Sequence, residues 1–290
     1  MELRVLQYFL AVARENSISG AAEFLHLSQP TLSRQLKELE QELGKQLFIR
    51  GNRRITLTEE GMILRKRAEE ITELVRKAEE EISASDDLLA GDISIGAGES
   101  DGNRFIIKAM KALQHDYPLV HFHVLSGDKT VILENIDRGT IDFGIIFGDV
   151  DSSKYDSLPI PSEDTWGVLM RRDSPLAQKN VITAEDLMDK PIIVSRQAFE
   201  NSEFKSFFPC GQEKLNIAAT YSLLFNGSLM VDEGLGYAIC FDKLINVSGN
   251  SNLCFRPLKP EIKIGMNIIW KKYRIFSKPA RMFLEKLGKS

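Results

Sequence analysis

The stretch Ser28 to Glu40, SQPTLSRQLKELE, gathers groups that can read a nucleic-acid duplex. Gln29 carries an amide that can pair with adenine N6/N7, and Arg34 a guanidinium that matches guanine O6/N7. Ser28, Thr31 and Ser33 offer short hydroxyls for phosphate or base contacts, and Lys37 adds a second cation. No acid lies between Glu23 and Glu38. Further on, KQLFIRGNRRITLTEEG carries Arg50, Arg53 and Arg54, with no acid between Glu42 and Glu59. Arginines set this way grip backbone or a narrow minor groove. Other chemistry is thin. His121 and His123 would point the same way on one strand, but no third ligand accompanies them, so an edge or interface strand is the simpler reading. His26 reads as a packing or phosphate contact. GAGESDGN lacks the GxGxxG spacing of a nucleotide loop. No serine, cysteine or carboxylate set has a catalytic arrangement, so neither catalysis, a metal nor a cofactor is expected.

The elements that must hold the first group are legible. Leu6, Phe9, Leu10 and Ala13 recur at helical spacing, which predicts a helix over 3–15. Ser19 can cap a second helix, GAAEFL, whose small residues permit close approach. Ser28 can cap a third, with Pro30 tolerated in its first turn. There Leu32, Leu36, Leu39 and Leu43 form one apolar stripe. Pro30, Ser33, Arg34 and Lys37 fall opposite it, flanked by Gln29. Glu38, Glu40 and Glu42 lie toward the far end. A helix entering a major groove tip-first needs this polarity. Leu47-Phe48-Ile49 and Ile55-Thr56-Leu57 then read as strands around a Gly51-Asn52 turn, an arginine-bearing wing.

Taken together, FLAVARENSISGAAEFLHLSQPTLSRQLKELEQELGKQLFIRGNRRITLTEEG resembles the winged helix-turn-helix of the LysR-type transcriptional regulators. About sixty residues match in order and without gaps. The resemblance carries DNA contacts to Gln29, Pro30, Thr31, Ser33, Arg34 and Lys37, and to Arg50 and Arg53 in the wing.

From Thr58, a possible cap, the pattern is helical again, with Glu59 and Glu60 in the favourable first turn. Leu64, Ala68, Ile71, Val75, Ala78 and Ile82 fall at spacings of 4 and 3, a coiled-coil seam that Leu57 and Leu89 extend. The other faces are almost all charged, so a two-stranded rod is expected, about 45 Å long. The family resembled uses such a helix to pair two heads, which implies half-sites about one helical turn apart.

After GDISIGAGES, strands alternate with helices, which argues for right-handed crossovers and a parallel sheet. TWGVLMRRDSP opens a second set. DRGTIDFGI, DEGLGYAI and SKPARMFL arrive in the order of the family's two-lobed α/β effector domain, which resembles periplasmic binding proteins. AICFDK departs from the pattern in lacking the proline the family often has there. The implied architecture is α/β overall. It comprises a winged helix-turn-helix over 1–58, a linker helix over 59–90 and an effector domain over 91–290. Lobe I would span about 91–161 and 266–290, and lobe II about 162–265. Ligand contacts in such lobes lie at strand carboxyl ends and helix N-termini. That selects Ser100, Asp101 and Asn103, then Ser126, Phe147, Ser195 and Arg196. The resemblance favours Ser100 and Ser195. Glu99 and Asp101 beside a helix N-terminus oppose an anion, although Arg196 can compensate, and the ligand can equally be neutral or cationic.

Composition bounds these readings. The 290 residues include 43% hydrophobic and 27% charged, with a net charge of −4 that conceals its distribution. Residues 28–67 hold nine Lys/Arg against five Asp/Glu, and residues 68–90 hold eight acids. Three cysteines 30 and 14 apart form no zinc or disulfide pattern, which fits a reducing cytosol. No apolar run reaches membrane-spanning length, and the charged N-terminus is not expected to be a signal peptide. The expectation is a cytoplasmic transcriptional regulator binding double-stranded DNA and a small-molecule effector. The residues themselves support at least a dimer, and the resemblance implies a homotetramer that works with RNA polymerase. Two rivals stand beside it. One is an architectural DNA binder without an effector. The other is a small-molecule-binding protein or enzyme of the two-lobe class.

Overall fold

The computed structural model describes residues 1–51, 54–83, 89–196, 206–208 and 214–288. The chain forms two compact units, Met1–Ala84 and Ser85–Ser290. The first is helical around a hairpin. The second is mixed α/β.

In the first unit, α1 (Leu3–Glu15) buries Val5, Leu6, Phe9 and Val12 and ends at Asn16, whose positive φ stops the helix. α2 (Ile18–Phe24) begins two residues earlier than the sequence suggests. Ser17, not Ser19, is its cap and accepts from the Gly20 N–H at 3.2 Å. Ser17 has the extended backbone a cap needs, whereas Ser19 is already helical. α3 (Gln29–Leu43) starts at Ser28, whose Oγ accepts from the Thr31 N–H at 3.3 Å, and stops at left-handed Gly44. Leu32, Leu36 and Leu39 are buried, but Leu43 is 41% exposed because the helix outruns the core by a turn. β1 (Phe48–Arg50) pairs antiparallel with β2 (Ile55–Leu57).

α4 (Glu59–Ser83) is capped by Thr58, whose Oγ1 accepts from the Gly61 N–H at 3.0 Å and donates to the Gln46 carbonyl at 2.7 Å. A β-carbon at Gly61 would lie 2.2 Å from the Leu47 carbonyl, so only glycine lets α4 pass this close to the hairpin. The expected seam divides along this helix. Ala68 is fully buried in the helical core and Leu64 packs against it. Ala68 is closed to a partner rod and Leu64 is half-buried, because the first turns of α4 close the head's own core. Ile71 is 37% exposed and Ile82 86%. Val75 is half-buried and Ala78 exposed. Leu89 packs instead on the second unit's core, and residues 84–88 lie outside the described ones.

The second unit contains nine described strands: β3 (Gly91–Ala97), β4 (Val120–Ser126), β5 (Phe143–Phe147), β6 (Tyr155–Arg171), β7 (Ile192–Ser195), β8 (Ile217–Tyr221), β9 (Tyr237–Phe241), β10 (Leu253–Pro257) and β11 (Lys263–Lys271). Their order is β4-β3-β5-β11-β6-β9-β7-β8, with β10 beside β6. The sheet is not all parallel. β3 runs parallel to β4 and β5, and β7 parallel to β8 and β9. The two triplets are joined through antiparallel β6 and β11. TWGVLMR is not a separate strand but the second half of β6, which runs 17 residues. Its early residues pair with β11, and Gly167–Arg171 pair with β10. β11 shifts register between Gly265 and Met266.

Each triplet has its own core. α5 (Asn103–Asp116) and α9 (Lys278–Gly288) cover one face of the first, around Ile93, Phe143, Ile268 and Phe283. α6 (Lys129–Arg138) covers the other. The second triplet buries Val168, Ile192, Val194 and Ile239 under the short α7 (Ala184–Leu187), and Ile193 and Ala238 under α8 (Leu224–Asp232). Asp142 pins the first lobe. Its carboxylate accepts from the Ser94 N–H and from Arg274, each at 2.7 Å.

β4 is an edge strand. His121 and His123 are exposed on it, and His123 Nε2 lies 3.3 Å from Asp92. Among the described residues, no group of three or more His, Cys, Asp or Glu is placed to hold a metal ion. No described helix is long and apolar enough to cross a membrane.

Candidate nucleic-acid interface and ligand cleft

Three leucines anchor α3 and turn its opposite side outward. Ser28, Gln29, Pro30, Thr31, Arg34 and Lys37 are exposed, and Ser33 is half-buried. Ser28 and Thr31 hydroxyls bond each other at 2.7 Å, which fixes the tip. Arg34 Nε lies 3.7 Å from Glu38, a loose contact between side chains 71% and 55% exposed, so the guanidinium is readily released. The amide dipoles add positive potential at this end. The surface is therefore donor-rich at its leading end and rigid behind it.

The wing is fixed to the same helix by a residue whose role the sequence reading missed. Glu40 Oε1 accepts from the Leu47 N–H at 2.7 Å and from the Phe48 N–H at 3.2 Å. Glu40 had read as one of three acids held back from the tip. An acid eight residues before the start of β1 was the available clue. Arg54 is exposed, and its carbonyl accepts from the Gly51 N–H at 3.0 Å. Arg50 closes β1 opposite Ile55. Arg53 lies outside the described residues. Arg14 stacks over the Phe24 ring at 4.0 Å and is thereby occupied.

In the second unit a cavity of about 320 Å³ opens between the two triplets. Strand ends and helix starts from both lobes line it, as expected for open α/β sheets. Phe147, Ser195 and Arg196 are in its wall. Ser100, Asp101, Asn103 and Ser126 are not. The Ser100 hydroxyl donates to Asp164 and accepts from the Gly102 N–H at 2.8 Å. Asp101 pairs with Arg104 at 2.6 Å. Asn103 Nδ2 donates to the Gly98 carbonyl at 2.7 Å. Ser126 is exposed at the end of β4, and the next residue, Gly127, reaches the cavity. These side chains brace the loop after β3 and leave its backbone and Glu99 to face the space.

Lining residues that the strand-end selection did not reach include Asp128, Lys129, Trp166, Tyr221 to Leu224, Phe241 and Lys263, and Glu99 had been weighed only as a charge opposing an anion. The strand-end rule, applied to TYSLLFNGS, would have found Tyr221 to Leu224. Aromatic rings wall one side, with Phe147 and Phe241 centroids 5.0 Å apart and Trp166 and Phe241 4.4 Å. The Tyr221 hydroxyl donates to the Ile239 carbonyl at 2.8 Å, and burial raises its pKa well above the usual phenol value. Burial also pushes the Cys240 thiol up, which removes a thiolate nucleophile from the cavity. Burial raises the Asp164 carboxyl above its usual value. Asp101 and Asp242 add to this, while the Ser100 hydrogen bond and Lys243 oppose it. Such a cavity can bind a small molecule, and its described lining residues assemble no nucleophile with a base.

The family described as bacterial regulatory helix-turn-helix protein, lysR family, matches residues 3–62, and the LysR substrate binding domain matches residues 86–290. The HTH-type transcriptional regulator YvbU of Bacillus subtilis, described as uncharacterized, is 27% identical over 98% of this chain and 97% of its own. The HTH-type transcriptional regulator BudR of Raoultella terrigena is 27% identical over 98% and 99%. The crystal structure of full-length CbnR with its target DNA superposes with a TM-score of 0.76 at 20% identity, covering 100% of this chain and 99% of the other.

Proposed function

Because the chain belongs to the LysR family of bacterial transcriptional regulators, a DNA-binding head and an effector-binding domain rather than an enzyme, we propose how its own residues divide the work. Residues 1–58 form the head that reads a duplex site. The outer face of α3 supports this reading most directly. Gln29, Pro30, Thr31, Ser33, Arg34 and Lys37 meet base edges, Ser28 and the wing's Arg50, Arg53 and Arg54 hold phosphate or minor groove.

Residues 59–90 pair two copies. Because Leu64 and Ala68 serve the head, the pairing surface is the later part of the seam, Ile71, Val75, Ala78 and Ile82, with exposed Leu74 beside them. Residues 91–290 hold a small effector between lobes of about 91–161 with 266–290 and about 162–265. Phe147, Ser195 and Arg196 touch the ligand, whereas Ser100, Asp101, Asn103 and Ser126 shape the adjoining loops. The regulator works in the cytoplasm as a dimer or a tetramer and meets RNA polymerase at its promoters. Ligand affinity must differ between two arrangements of the heads for the signal to pass.

The test is enrichment and sequencing of genomic fragments bound by the full chain, repeated with Arg34→Ala. The expected result is a two-fold symmetric site bound by the native chain, with Arg34→Ala costing about 1–3 kcal/mol and relaxing one base position in each half. Identical footprints for the two proteins would remove α3 as the reading element.

A further inference from the structure

Two helices bring their first turns to the cavity wall, α6 through Asp128 and Lys129, and α8 through Leu223 and Leu224. A helix start is ordinarily where a free carboxylate would dock. Here both starts are already filled by the protein's own acids. Asp128 accepts from the Val131 N–H at 2.9 Å. Glu99 reaches from the loop after β3 to accept from the Leu224 N–H, 125 residues away in sequence and in the opposite lobe. The cations of the wall are also turned to protein acceptors. Lys129 donates to the Asp149 carbonyl at 2.9 Å, Arg196 to the Ser222 hydroxyl at 3.4 Å, and Lys263 lies 3.6 Å from Glu261. The wall also carries the carboxylates of Glu99 and Asp128 beside aromatic rings. Both attract a cation.

We propose that the cleft selects an effector presenting an organic ammonium group on an apolar body, and that Glu99 is the residue that sets this specificity. The proposal rests on the effector reading of the cavity and names its ligand class. Glu99 acts as a tethered carboxylate. It fills the anion position on α8 and links the lobes. Its remaining lone pairs receive the ammonium, while Phe147, Phe241 and Trp166 cover the apolar body.

The experiment is a thermal-shift and calorimetric titration of the full chain. The probes are hexylamine, benzylamine and phenethylamine, each set against its carboxylate counterpart, hexanoate, benzoate and phenylacetate. Saturable stabilisation by at least one amine and by no carboxylate is expected. Glu99→Gln keeps an acceptor for the Leu224 N–H but drops the charge. It should weaken the amine about tenfold and leave the unliganded melting temperature near the native value. Glu99→Ala, which vacates the α8 start, should admit a carboxylate that the native chain refuses. Stabilisation of the native chain by a carboxylate, binding of no amine, or amine affinity unchanged in Glu99→Gln each overturns the proposal. A parallel screen of metabolites of all classes separates the two readings. If it finds an anionic effector, the effector reading stands and this one falls; if it finds no ligand of any class, both fall.

Discussion

Asp164 is held against its own charge. It is 5% exposed, accepts from Ser100, and has Asp101 and Asp242 nearby with Lys243 as counterweight. Its folded pKa lies above the ordinary 3.8 because burial outweighs the hydrogen bond. The sign follows from linkage. A carboxyl with a raised native pKa costs nothing below its unfolded value, and the penalty grows as pH rises from about 4 through the native pKa. At neutral pH the full penalty is present. Asp164→Asn keeps an acceptor for Ser100 and removes the charge. It should raise the melting temperature at pH 7, and the gain should vanish below about pH 4. Melting curves across that range check it, and a loss at pH 7 would mean that the Lys243 attraction dominates. Ser100 itself illustrates a residue the sequence located well but assigned differently. It does sit at the end of a strand in the cleft-forming lobe, yet its hydroxyl is spent on Asp164. Only a tertiary contact 64 residues away decides that.

At the scale of elements, the hairpin and α3 are one piece because of Glu40. Its carboxylate serves the backbone N–H groups of Leu47 and Phe48. Glu40→Ala leaves both without that acceptor and should cost about 1–3 kcal/mol. DNA affinity should fall together with stability, since the wing arginines lose their fixed offset from the helix tip. Denaturant titration and a binding isotherm measure the two losses, and Glu40→Gln should recover part of both. Helices were the most legible elements. α1 and α3 followed from apolar spacing and from Ser28 with Pro30, because those signals are local. Ser17 over Ser19 and the exposure of Leu43 were not legible, because each depends on where the core ends. The mixed sheet was the largest departure. Strand alternation with helices is a local pattern, while the antiparallel return of β11 beside β5 and β6 pairs residues far apart in the chain, such as Met266 with Phe147. In the cavity, the strand-end rule reached Phe147, Ser195 and Arg196, whose positions follow from the strands themselves. Glu99 was legible only as a charge opposing an anion, because the partner that gives that residue its place, Leu224, comes from another lobe.

For the whole molecule the question is how many copies act together, and α4 poses it. Its seam serves two masters, with Ala68 at 0% exposure inside the head and Ile82 at 86% outside it. Charge placed at the two positions should therefore give different failures. Ile82→Glu should leave each chain folded and weaken self-association, seen as a shift toward monomer in sedimentation. Ala68→Glu should instead unfold the head, because an unpaired carboxylate cannot enter that core without a cost of several kcal/mol. Equal behaviour of the two variants would put the pairing surface elsewhere.

β6 has a consequence of a mechanical kind. It runs without a break from the sheet of one lobe into the sheet of the other, and the lobes are joined by strands and not by a loose connector. A loop swings freely between stops, but a paired strand bends like a leaf spring and returns to rest. Opening and closing here would store elastic work in β6 and β11, with the register shift at Gly265 and Met266 as the softest point. A ligand that closes the lobes would then bind against a restoring force, and its departure would be driven by that stored deformation.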